Sequence, residues 1–151
     1  MPTTLTLADL TERTGLDVLG HLEREMTIPV IDGLQAQGDL IVIPLDYLAD
    51  IAIAPSAYWR EVPVTGIDVL RAAAGGNPHT LVADPGTCRW TTGVRDRTGL
   101  ALGALTITGA AYLVHPEHGG SGIAPGSYVI RRQRERSGSP RQDRSYQFIA
   151  D

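Results

Sequence analysis

HPEHGGSGIAPGSYVIRRQRER, residues 115–136, packs a paired histidine, a glycine turn, a proline corner and an arginine-bearing strand into one short stretch. Its second half alternates: Tyr128, Ile130 and Arg132 fall on one face of an extended segment from Ser127 to Gln133, and Val129, Arg131 and Gln133 on the other. Just upstream, AAYLVH at 110–115 is a mostly apolar strand that delivers His115 to the start of the glycine turn. These two strands are expected to be neighbours.

Working outward, the same punctuation recurs. Gly38-Asp39 precedes LIVIP, Gly75-Gly76-Asn77-Pro78 precedes HTLVA, Asp84-Pro85-Gly86 precedes TCRWT, and Arg97-Thr98-Gly99 precedes LALGALTI. Short β-favouring segments joined by turns this tight leave no room for helices or parallel crossovers. The expected fold is therefore mainly β, a small antiparallel barrel or sandwich. Residues 46–54, DYLADIAIA, fit either a helix or an alternating strand.

The first 36 residues read differently, as a two-helix cap. Thr6 can cap a helix through Arg13, with Asp9 in its first turn and Gly15 as its stop. Leu16, Leu19, Leu22 and Met26 then recur at helical spacing until Ile28-Pro29 ends the run. Val30 to Asp39 is polar and glycine-punctuated, a connection into a β domain spanning 37–151. Near the end, RERSGSPRQD at 134–143 offers no apolar face and is expected to be a mobile loop before a last strand, YQFIA, with Phe148 in the core.

At 151 residues the chain fits one domain with one core. A single cysteine, Cys88, argues for a reducing compartment and against a disulfide scaffold. No apolar run approaches the roughly eighteen residues a membrane helix needs, and the N-terminus lacks a basic start and a cleavage site, so a cytoplasmic, membrane-free protein is expected. Charge is segregated: residues 131–144 hold six Arg against Glu135 and Asp143, a local +4, which leaves −8 on the other 137 residues of a chain of net −4. An acidic body with one basic strand end does not resemble a nucleic-acid surface, where basic charge spreads over a face. Arg131, Arg132, Arg134 and Arg136 are expected to meet carboxylates of the chain itself or of a protein partner.

With QGDLIVIP, HPEH, APGSYVIRRQRE and a terminal IAD, the chain resembles small uncharacterised bacterial and phage proteins with a QGD-strand, a glycine-histidine turn, an HxEH motif, PGxYxVxRQRE and a closing AD. The resemblance runs from Gln37 to Asp151. Where many relatives carry G-H-x-H, this chain has Gly76-Asn77-Pro78-His79. The resemblance implies that His79 lies near His115 and His118; it implies no activity.

Those three histidines are the candidate site. Pro116 bends the chain between His115 and His118, and if the turn before His79 lies at the same end of the β domain, three imidazoles could hold zinc with an open position, Glu117 serving as a fourth ligand or a base. The alternative is that all three cap strand ends by bonding to backbone in turns. Cys88 reads either as a thiolate activated by Arg89 or as a small buried strand residue. Tyr58, Trp59 and Trp90 could line a pocket or fill the core. No phosphate loop, dinucleotide fingerprint, nucleophile elbow or four-ligand zinc pattern occurs. The expected function is a non-catalytic binding or accessory module whose glycine-rich strand ends take a protein or small ligand. A small metal-dependent enzyme using His79, His115 and His118 is the second expectation.

Overall fold

The alternating stretch 127–133 is realised as a strand over Gly126–Arg132, in which Tyr128, Val129 and Ile130 are all buried. The computed structural model describes residues 5–16, 27–70, 78–136 and 146–148, with backbone only for 134–136 and 146–148. One helix, α1 (Leu7–Thr14), precedes the strands β1 (Val30–Ile31), β2 (Gln35–Gln37), β3 (Leu40–Pro44), β4 (Ile51–Ile53), β5 (Arg60–Glu61), β6 (Ile67–Leu70), β7 (His79–Ala83) and β8 (Cys88–Thr91). They are followed by β9 (Val94–Asp96), β10 (Ala101–Ile107), β11 (Ala111–His115), β12 (Gly119–Ile123), β13 (Gly126–Arg132), β14 (Arg134–Arg136) and β15 (Tyr146–Phe148).

Two sheets carry the architecture. Five strands run in the order β1-β12-β11-β7-β6 and six in the order β2-β3-β13-β10-β8-β5, with β4-β9 and β14-β15 as small separate pairs. Both large sheets have free ends, so the expected barrel does not close; the arrangement is sandwich-like. Leu81, Ala83, Ala111, Leu113 and Ile123 of the first sheet meet Leu40, Val42, Trp90, Leu105, Ile107, Tyr128 and Ile130 of the second in one apolar cluster. Each fully buried aliphatic side chain there contributes about 1.5–3 kcal/mol.

The outer face of the five-stranded sheet is covered too. Val82, Tyr112 and Val114 pack against Leu5, Leu7, Leu10 and Ile28. That explains why HTLVA and AYLVH are buried along their whole length rather than alternately. The helix that supplies the cover starts as its sequence suggested. Thr6 Oγ1 accepts from Asp9 N at 3.1 Å while Asp9 Oδ2 accepts from Thr6 N at 2.9 Å, a reciprocal capping box, and Gly15 ends it in the left-handed region at φ 72°. Arg13 ties its last turn to Asp84 at 3.1 Å. The second helix of the expected cap falls on 17–26, outside the described residues.

Several expectations are corrected. β11 and β13 are not neighbours: they lie in different sheets, and β12, read from sequence as a turn, is a strand beside β11. The stretch Val30 to Asp39 is no mere connection, because β1 joins the five-stranded sheet and β2 the six-stranded one. The pairing of β1 with β12 is parallel, and the other strand pairings among the described residues are antiparallel. Residues 46–54 resolve into the end of a single 3₁₀ turn (Leu45–Tyr47) and strand β4. At the C-terminal end Arg134–Arg136 pairs with Tyr146–Phe148, so 134–136 is strand where a loop was expected; 137–143 and the side chain of Phe148 lie outside the described residues.

Candidate functional site

His79 opens β7 and His115 closes β11, and the register of these antiparallel strands decides which side chains meet. Leu113 lies opposite Leu81 and Val114 opposite Thr80, so the next step brings His115 beside His79 on the inward face. Their ring centroids are 4.4 Å apart, and His118, after the Pro116 bend, places its ring 4.6 Å from His115 and 6.3 Å from His79. The three histidine rings therefore lie side by side. His79 and His115 are fully buried, whereas His118 and Glu117 are exposed at the rim.

Two residues that sequence reasoning did not single out complete the cluster. Gln37, at the end of β2, and Asp39, in the β2-β3 turn, reach His79 from the opposite sheet, and both are buried. Gln37 Oε1 lies 2.9 Å from His79 Nδ1, and Asp39 Oδ1 lies 2.9 Å from His79 Nε2. The turn between them uses Gly38 at φ 57°. Gln133 braces it, donating through Nε2 to the carbonyls of Gly38 and Leu40 at 3.1 Å each. The signal was the QGD triplet itself, which read as turn chemistry rather than as two functional groups flanking a glycine.

Backbone groups of fixed donor or acceptor role set the proton positions. Gln37 Nε2 donates to the carbonyls of Leu113 at 2.9 Å and Gly119 at 3.3 Å, and to Ser121 Oγ at 3.0 Å. That fixes the amide orientation, so Gln37 Oε1 faces His79 and His79 Nδ1 carries a hydrogen. One further proton lies between His79 Nε2 and the Asp39 carboxyl. Both ring nitrogens of His79 are thereby committed to protein partners. His115 has the opposite arrangement: its Nδ1 accepts from the backbone N–H of Glu117 at 3.0 Å and of His118 at 3.2 Å, so its neutral ring carries its hydrogen on Nε2. A metal ligand or general base needs an outward lone pair, and these bonds direct those of His79 and His115 elsewhere. Among the described residues no group of three or more His, Cys, Asp or Glu side chains is arranged to hold a metal ion.

The other candidates resolve simply. Cys88 is buried in the core, and burial pushes its thiol up to about 12, which removes the reactive-thiolate reading. Trp90 is a core residue, while Tyr58 is exposed and shares with Trp90, Ala57 and Arg60 the lining of an open surface cleft. Arg131 finds carboxylate within the chain, 3.5 Å from Asp96, and donates to Thr98 Oγ1 at 2.7 Å.

Fold and site together define a β-rich domain whose two sheets are bridged at one end by a buried histidine, carboxamide and carboxylate cluster. The chain belongs to a family described as a domain of unknown function, DUF8820, whose model matches residues 36–133, from β2 to the end of β13. No curated protein and no solved structure matches it.

Proposed function

We propose that the protein is a non-catalytic binding or accessory module, and that its histidine cluster is a scaffold for the exposed turn carrying Glu117 and His118. The observation that carries this is the commitment of His79 to Gln37 and Asp39, together with the two backbone N–H groups held by His115. A buried polar network rigidifies what sits on it. Here that is the Pro116 to Gly119 turn, which presents an exposed carboxylate and imidazole at the rim to a protein or small ligand. A cytoplasmic location accords with one buried cysteine outside any disulfide. Among the described residues no helix is long and apolar enough to cross a membrane.

A metal-dependent enzyme is the second reading, and the packing of three imidazoles within 4.4 to 6.3 Å favours it. It requires His79 to release Gln37 or Asp39 so that a nitrogen can turn to zinc. Elemental analysis of protein purified without chelator or affinity tag separates the two. The binding-module reading expects metal far below one per chain and the same trace in His79→Asn. Near one zinc per chain, lost in His79→Asn and in His118→Ala, would replace it with the enzyme reading.

A further inference from the structure

We infer that the outer face of the five-stranded sheet is a docking site for a helix-plus-strand segment, and that a second copy of this chain can supply that segment in place of the chain's own. In the structure the occupant is α1 with Thr27 to Ile31, which precede the family-matched domain yet bury Leu5, Leu7, Leu10 and Ile28 on its Val82, Tyr112 and Val114. The two parts are tied to each other: Thr6 bridges Thr27, and Ile28 N donates to Leu5 O at 2.8 Å.

The face is shaped for this occupant. A Cβ on Gly120 would lie 2.5 Å from Ile28 Cδ1, and one on Gly122 would lie 2.5 Å from the Pro29 carbonyl oxygen, so β12 is glycine-rich where the segment lies on it. The docking ends in two-residue parallel pairing of β1 with β12, sealed by Ala124 N donating to Ile31 O at 3.0 Å. What attaches the segment to the domain is slight. Only Asp32, Gly33 and Leu34 separate β1 from β2, and Gly33 sits at φ 119° with nothing against the position of its missing Cβ. Docking within one chain leaves apolar surface uncovered: beside the hinge, Val30, Ile31 and Leu34 are 39%, 42% and 53% exposed. Exchange between two copies brings two hinges side by side and covers those aliphatic side chains, while every docking contact is kept; exchange of an identical element is a low-cost route to a dimer.

The test uses two full-length variants. Leu10→Asp combined with Ile28→Asp spoils the segment and leaves the face; Gly122→Val spoils the face and leaves the segment. Each alone is expected to sediment as a monomer, and the equimolar mixture as a one-to-one heterodimer in which the intact segment of the second occupies the intact face of the first. A mixture that stays monomeric while both variants keep their β-type circular dichroism overturns the inference. Should either variant unfold, deletion of Asp32 and Gly33 decides: the shortened link holds the segment off its own sheet, so a dimer is expected and a folded monomer refutes exchange. Neither arm depends on Glu117 or His118, so the outcome is independent of the proposed function.

Discussion

Truncating His79 removes the ring that Gln37 and Asp39 both bond, and truncating Gln37 removes the acceptor at His79 Nδ1 and a donor to the Leu113 carbonyl. The two losses differ in kind, which sets their sizes. His79→Ala is expected to cost about 3–5 kcal/mol, the range for emptying a fully buried ring-sized site. Gln37→Leu is expected to cost about 1–3 kcal/mol, the range for an orphaned buried polar group. His118→Ala, at the exposed rim, is expected to stay within about 0.5 kcal/mol. Urea unfolding of the three variants checks the ranking; equal losses in all would mean that the cluster does not act through buried partners. Cys88 adds a pH signature. Burial raises its thiol from 9.0 to about 12, so the unfolded chain loses that proton first. Its contribution is present below pH 9 and declines as pH rises toward 12, and Cys88→Ala should flatten that alkaline limb. The histidines were legible in the sequence because the type is rare and the HPEH spacing conspicuous. Gln37 and Asp39 were not, because they lie 42 and 40 residues from His79 and only the facing of two sheets brings them to it.

The strand most misread, β12, shows what a local pattern misses. Glycine disfavours strands, and GGSG reads as a turn from propensity alone. It is a strand because a second layer presses on it, and that layer comes from a distant part of the chain. Gly122→Ala puts a Cβ against the Pro29 carbonyl oxygen and the Val30 Cα, at 2.5 and 3.0 Å, so backbone must yield. A loss of about 1–3 kcal/mol is expected, as for overpacking elsewhere. Gly99→Ala, with open space around it, isolates the backbone-conformation cost alone. Thermal unfolding of the pair checks the difference. By contrast α1 was legible almost residue by residue, since Thr6, Asp9 and Gly15 act within one turn of themselves; Thr6→Ala is expected to cost about 1 kcal/mol. The β9-β10 turn gives an acid signature. Burial alone would raise the Asp96 carboxyl, but the Thr98 hydroxyl, the N–H groups of Thr98 and Ala101, and the Arg131 charge together hold it below 3.8. Its contribution is therefore present above about pH 4 and lost as pH falls further, and Asp96→Asn should flatten the acid limb of stability.

At the scale of the molecule, mainly-β character was legible from turn spacing, but the order of strands was not. AAYLVH and SYVIRRQ are close in sequence, yet Ala124 and Pro125 carry the chain from one sheet to the other, so they face across the core instead of pairing. His79 and His115 lie on one sheet and Gln37 on the other, which makes the histidine cluster a buried polar link between layers joined largely by apolar contact. The measurement that bears most directly on this is a two-bond proton–nitrogen correlation spectrum of the histidine rings in uniformly nitrogen-15-labelled protein near neutral pH, recorded without and with zinc. The account predicts a protonated Nδ1 on His79, an unprotonated Nδ1 on His115, and no change in either ring on adding zinc. An unprotonated Nδ1 on His79, or ring nitrogens of His79 and His115 that shift together as zinc is added, would contradict it.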